Sequence, residues 1–415
     1  MSDHAPSPVS EPDQVADIRA RIAAAGVMAF DVEFASEGRF IPELSLIQVA
    51  WPGAGGPDAD PEIAVIDCLA VDPEPIVALV GDPAVETVIH AARQDLGLVN
   101  ARYKVRGRAL WDTQIAAAFV GLGEQVGYAH LVDVVCGVNV PKDASYAKWL
   151  KRPLTSAQLR YAANDVRYLL KVWRHLRAQL SERGRLDWVR AESDALAEKS
   201  VPHGPAEDAY LAIKGGGGLK GKALARLRDL AAWRQQQALR DNRPLSWILP
   251  DKALLAICRR PPKGAHELRQ VPGLTGTIMR RYGDPLLAAL AQPVADLAPA
   301  EPSERERGPS SQRGRLCADI ILALLRERAD ELGVARRFLG TRDEVEAVAA
   351  WFEDPKHRDS DQLPPLPLFT GWRHQAAGAD VAAWLRGQVA LACRPGEHLA
   401  LAVVPMPAAG ATDAG

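Results

Sequence analysis

The chain has 415 residues, 47% of them hydrophobic and 25% charged, with a formal net charge of -2. That length asks for more than one hydrophobic core, the composition excludes a disordered or fibrous chain, and the charge excludes indiscriminate coating of nucleic acid while allowing a basic module beside an acidic one. The five cysteines (Cys68, Cys136, Cys258, Cys317, Cys393) form no C-x-x-C pair, which argues against a zinc ligand set or a disulfide framework and for a reducing, cytoplasmic setting.

In chain order, residues 1–14 are rich in Pro, Ser and Asp and read as a disordered tail. They carry no export signal, and no apolar run anywhere is long enough for a membrane span. Four strand-like runs follow, VMAFDVEFA (27–35), LSLIQVAW (44–51), EIAVIDCLA (62–70) and VETVIHA (85–91), with a short helix over Pro73–Val80 before the last. From Gln94 the apolar spacing turns helical through WDTQIAAAFVG and AHLVDVVCGV. Thr155 then serves as N-cap to one long helix reaching Gly184, and a first domain over 15–195 closes. Residues 205–295 read as a small all-α module whose segment 214–281 holds fifteen Lys or Arg against four Asp or Glu, a local excess of +11. A Pro/Ser-rich linker spans 296–313. A second helical unit covers 314–395, including VAAWLRGQVALAC, and 396–415 reads as a tail.

The chemistry gathers in the first domain. In FDVEF a strand turns Asp31 and Glu33 to one face, because side chains two apart point the same way. Paired burial of those charges is costly without a cation. In YAANDVRYLL a helix brings Tyr161 and Asp165 onto one face, four residues apart. In HAARQDLGLV a strand ending at His90 passes into a helix that presents Asp95 from its first turns, and His90 reads as a structural group rather than a ligand. Taken singly, each pair is also what an exposed strand edge or helix surface provides by chance.

Together, D-x-E, H-x-x-x-x-D and Y-x-x-x-D in this order resemble the DEDD exonuclease superfamily in its tyrosine-containing branch, and most closely the ribonuclease D type. The segments IPELSLIQVA, LWDTQIAAAF, KWLKRPLTSAQLRYAANDVRYLL and RDNRPLSWILPD carry the likeness. It implies an α/β RNase H-like exonuclease domain, a mixed sheet flanked by helices, followed by two small all-α units of HRDC type. It further implies Asp31, Glu33, Asp95 and Asp165 as ligands of two divalent ions, Mg²⁺ or Mn²⁺, and Tyr161 as the residue that positions the attacking water. The reaction implied is 3′-to-5′ exoribonucleolytic release of nucleoside 5′-monophosphates, in maturation of tRNA and other structured RNA with 3′ tails, with no membrane and no obligate protein partner. Lys142, Lys220, Lys222 and Arg234 are candidate phosphate contacts. Trp351 and Trp372 are weighed as base-stacking platforms, but their helical spacing favours core. Lys148 precedes Trp149 where relatives commonly carry an acid. A DNA repair exonuclease and an inactive RNA-binding adaptor are the competing readings.

Overall fold

The computed structural model describes residues 5–53, 55–56, 59–141, 147–200, 204–294, 308–358, 362–394 and 400–406. Two compact units emerge from the described parts of Met1–Thr113, Tyr128–Arg174 and Arg190–Ala300, and of Gln114–Gly127, His175–Val189 and Glu301–Gly415.

The first unit opens with helix α1 (Pro12–Ala25), followed by strands β1 (Val27–Ala35), β2 (Glu43–Trp51) and β3 (Glu62–Asp67). Helix α2 (Glu74–Val80), β4 (Glu86–Ile89), α3 (Arg93–Tyr103) and β5 (Leu110–Asp112) come next. The five strands form one sheet in the order β3-β2-β1-β4-β5. β1–β2 and β2–β3 pair antiparallel, while β1–β4 and β4–β5 pair parallel. This is the mixed sheet that the sequence predicts, with β1 in its centre.

Alternation along β1 divides the two faces. Met28, Phe30 and Val32 sink into a core with α1, α2 and α3, so Asp31 and Glu33 are turned to the other face. There Leu46 and Val65 pack against Leu159, Ala162 and Ala163 of α6 (Ser156–Arg167). A full capping box starts α6: Thr155 Oγ1 accepts the Gln158 N–H at 3.2 Å and Gln158 Oε1 accepts the Thr155 N–H at 3.0 Å.

Several expectations are corrected. The tail expected over 1–14 is ordered from residue 5: Val9 bridges Ile66 beside β3, and α1 begins at Pro12 and buries Val15, Ile18 and Ile22. The segment LWDTQIAAAF, read as helix, starts with the buried strand β5 and only then becomes α4 (Thr113–Phe119). A third departure follows α5 (Tyr128–Cys136), where the single long helix is broken at Tyr168 into α6 and α7 (Leu169–Glu182). At that break the Tyr128 hydroxyl accepts the Tyr168 N–H at 3.3 Å and donates to the Asn164 carbonyl at 2.7 Å, so a side chain satisfies backbone groups that a continuous helix pairs internally.

After α8 (Leu186–Lys199), the basic module forms α9 (Gly221–Asp241), α10 (Leu245–Ile248), α11 (Asp251–Arg259), α12 (Ala265–Arg269) and α13 (Gly276–Leu290). Its core gathers Leu224, Leu227, Leu230, Leu249, Leu254 and Ile257.

In the second unit, α14 (Gln312–Leu332) and α15 (Arg342–Glu353) are the expected helices, and Thr341 and Glu344 close a capping box on α15. Trp372 is 7% exposed, with its ring 4.9 Å from Trp188 and 5.1 Å from Phe119, so it is core. Trp351 stacks on His357 at 3.6 Å. The run VAAWLRGQVALAC is not one helix: it ends in strand β6 (Val389–Arg394), which pairs antiparallel with β7 (Ala400–Pro405) inside the expected tail.

Candidate active site

Asp31 and Glu33 stand two apart on β1, and Asp165 arrives from α6. Carboxylate oxygens of all three lie within 4.8 Å of one another. Between Glu33 and Phe34 the β1–β2 register slips: Glu33 pairs with Leu46 and Phe34 with Leu44, so Ser45 of β2 is the extra residue beside the second acid. Asp95, third residue of α3, is 9% exposed; it falls outside the tight triad but interacts electrostatically with Asp31 and Asp165.

Tyr161 lies one turn before Asp165 on α6, with its ring 6.0 Å from that of Trp149. The imidazole Nδ1 of His90 sits 2.9 Å from Thr113 Oγ1, a structural contact as the sequence suggests.

Burial outweighs every other influence on these acids. Desolvation, then repulsion from Asp31, Asp165 and Asp95, pushes Glu33 up to about 9. Asp31 and Asp165 are raised, chiefly by burial. Asp95 is raised well above the carboxylate range by burial, then by Asp31, Asp112 and Asp165, although the first turn of a helix ordinarily favours an anion. Such a crowded set of hard oxygen donors matches what a divalent ion requires.

A second observation supports that fit. Gln48 is the β2 partner of Asp31 across the ladder, so both side chains share a face. It is fully buried, and neither amide atom finds a hydrogen-bond partner among the described residues. Buried amides of this kind are almost always satisfied, by water or a ligand if not by protein.

Sequence reading missed the residues that hold this site in place. Asp112, 2% exposed at the end of β5, accepts the N–H groups of Ala91 (3.1 Å) and Ala92 (2.9 Å). Those amides belong to the turn that launches α3, and Ala91 has φ +58. Asp112→Ala strands the buried Ala92 donor and releases the more exposed Ala91 donor, and is expected to lower unfolding stability by about 1–3 kcal/mol; an unchanged urea midpoint would refute the role.

Arg152 is the second. It forks onto Asp67 through Nε and Nη2, both at 2.6 Å, and its Nη1 donates to the Trp149 carbonyl at 2.6 Å. Their signal in the sequence is only the segment text itself, because each acts on residues far away in the chain.

Of the proposed phosphate contacts, Lys220 and Lys222 are exposed at the start of α9, and Lys142 lies outside the described residues. Arg234 is corrected. It is 4% exposed and donates to the Leu249 carbonyl at 2.9 Å and to Asp251 Oδ1 at 2.5 Å, a buried brace between α9 and the turn before α11 rather than a group facing RNA.

The basic module is fastened to the segment between β1 and β2. Asn242 Oδ1 accepts both Phe40 N–H (3.1 Å) and Ile41 N–H (2.7 Å), and the Phe40 ring packs with Ala238, Ile248, Ile278 and Tyr282. The loop so held follows β1 directly.

Comparison with known proteins agrees with this geometry. Residues 6–181 match the family of 3′-5′ exonuclease domains and residues 223–290 match the HRDC domain. Ribonuclease D of Acidiphilium cryptum is 35% identical over 379 residues, covering 90% of this chain and 91% of its own. Ribonuclease D of Sphingobium indicum is 34% identical over 397 residues, with 94% and 96% covered. Among solved structures, Escherichia coli RNase D, an exoribonuclease involved in structured RNA processing, superposes with a TM-score of 0.77 at 27% identity, covering 91% of this chain and 98% of that one. With an acid cluster brought together by β1 and α6, an HRDC match over residues 223–290, and relatives matched along almost their whole length, the chain belongs to the ribonuclease D family of 3′-5′ exoribonucleases.

Proposed function

We propose that this exoribonuclease releases nucleoside 5′-monophosphates one by one from structured RNA with single-stranded 3′ tails, tRNA precursors among them. Asp31, Glu33, Asp95 and Asp165 hold the metal in this reading, and Tyr161 orients the attacking water. The observation that carries it is the convergence of three half-buried carboxylates within 4.8 Å of one another, on the sheet face that also carries the buried, unpaired Gln48. Two divalent ions, Mg²⁺ or Mn²⁺, would supply a nucleophile from bound water near neutral pH and would offset charge on the scissile phosphate and the leaving 3′ oxygen.

The protein's own groups do the rest. A phenol, with an ordinary pKa of about 10, keeps its proton at neutral pH and can hold a water by donating or accepting a hydrogen bond. The pairing of β1 with β2 and the capping box on α6 fix the two elements that bear Asp31, Glu33 and Asp165, while Asp95 comes from α3. The basic module contributes sequence-independent attraction for phosphates, which weakens with salt. We further propose an exonuclease domain that includes α1 and runs to about residue 195, an HRDC domain over 205–295, and a second HRDC-like unit from α14 through the β6–β7 hairpin.

The test is digestion of a 3′-extended tRNA precursor and of a matched DNA strand by wild type and by Tyr161→Phe, with Mg²⁺, Mn²⁺ or EDTA, resolving products by length. Stepwise RNA shortening abolished by EDTA and slowed about 10²-fold or more by Tyr161→Phe is expected. Faster digestion of DNA would favour the repair reading, and no shortening with any metal would favour the adaptor.

A further inference from the structure

The fold leaves one large aromatic side chain conspicuously open. Trp247, on the four-residue helix α10, is 51% exposed, whereas its neighbours Ile248 and Leu249 are fully buried. A single exposed apolar residue needs no explanation by itself. Three features of its surroundings give it one.

The Arg243 guanidinium lies 6.0 Å from the centroid of the Trp247 ring. An indole with a cation at its face and an open side is the composition that receives nucleobases in single-strand channels. The indole also borders the loop that follows β1: a Cβ placed on Gly38 (φ +68) would come within 3.3 Å of Trp247 Cη2. Gly38 is five residues beyond Glu33, so the chain between them spans at most about 18 Å. Finally, the platform does not float. Asn242 fastens the Phe40 and Ile41 amides of that loop, and Phe40 inserts into the cluster with Ile248, the residue next to Trp247. The indole is therefore held at a fixed place beside the strand that carries Asp31 and Glu33, in a segment whose local excess is +11.

We propose that Trp247, with Arg243, is a stacking platform for an unpaired base of the RNA strand a few nucleotides upstream of the reacting 3′ end. The proposal rests on the RNA-trimming reading above and adds the place where the incoming strand is gripped. Stacking on a π-face is tolerant of sequence, which suits an enzyme that must process whatever base comes next. Duplex RNA hides its faces, so the platform selects a single-stranded tail.

The experiment uses the full-length protein and 5′-fluorescein-labelled single-stranded RNAs graded from a dinucleotide to a dodecanucleotide. Binding is read by anisotropy in EDTA, and hydrolysis by steady-state kinetics with Mg²⁺ or Mn²⁺. For the longer RNAs, Trp247→Ala is expected to weaken binding and raise KM about tenfold, with the penalty shrinking as the RNA is shortened. Trp247→Phe, which keeps a ring, should recover most of the loss. A penalty of the same size at every length, no penalty at any length, or a Phe variant as weak as Ala would each overturn the platform. Failure of the wild type to shorten any RNA would instead sink the trimming reading, while the anisotropy arm would still report on the platform.

Discussion

Asp31→Asn is expected to lower metal-dependent turnover by about a thousandfold or more and, in EDTA, to raise the melting temperature. The loss of turnover follows if, as proposed, Asp31 is one of the metal ligands, since its amide is a much weaker ligand than the carboxylate. The gain in stability follows from the same crowding: three carboxylates within 4.8 Å repel and are poorly solvated, so the metal-free protein carries a cost that a cation, a bound proton or an amide in place of one acid relieves. The pH dependence has a definite sign. Glu33 titrates near 9 in the folded protein against about 4.3 unfolded. Below pH about 4.3 the group is protonated in both states and costs nothing. As pH rises from there toward 9, the unfolded chain releases a proton that the fold retains, so metal-free stability falls across that window. Wild type in EDTA should therefore lose melting temperature between pH 5 and 9, and the increment on adding Mg²⁺ or Mn²⁺ should grow with pH. Glu33→Gln should flatten the EDTA profile. Parallel profiles for wild type and Glu33→Gln, unaffected by metal, would contradict this account of the acids.

What the sequence disclosed depended on how local the determining interaction was. Asp31 with Glu33, and Tyr161 with Asp165, share a face through spacings that a strand or helix imposes by itself, so they were readable as pairs before any packing was known. Strands β1 to β3 were readable because apolar runs stood between turn residues. β5 was hidden: three buried residues show no alternation, and the chain passes from them straight into α4. The break at Tyr168 was hidden because its cause, the Tyr128 hydroxyl, is 40 residues away. Likewise Asp112 acts on amides 20 and 21 residues distant. The hairpin of β6 and β7 escaped because Ala-rich strands carry weak period-2 contrast. Arg234 misled for the opposite reason, since a basic residue in a basic module reads as surface until its buried partners are seen.

Arg152→Ala tests whether the segment before α6 is positioned rather than merely tethered. Arg152 reaches 85 residues back to Asp67, whose side chain is only 10% exposed, through two parallel bonds of 2.6 Å. Its Nη1 also holds the Trp149 carbonyl, which in turn accepts the Ser45 hydroxyl at 2.6 Å. Trp149 packs against Tyr161, so the fork is one residue removed from the phenol that lies four residues before Asp165 on α6. Removing the guanidinium strands a nearly buried carboxylate, for which a loss of about 3 kcal/mol is expected. Asp67 also accepts the Leu69 N–H at 3.0 Å, which keeps the loss from being larger. If Trp149 sets the Tyr161 ring, kcat should fall as well, by about 10–100-fold at a temperature where the variant is fully folded, because small displacements at a reacting centre are costly. Arg152→Lys should rescue little, since one ammonium cannot form the fork. Adding Asp67→Ala should recover part of the stability, because no unpaired carboxylate remains, but not the rate, because the carbonyl of Trp149 still lacks its guanidinium donor and keeps only the Ser45 hydroxyl. Recovery of both together would reduce Arg152 to a purely structural brace.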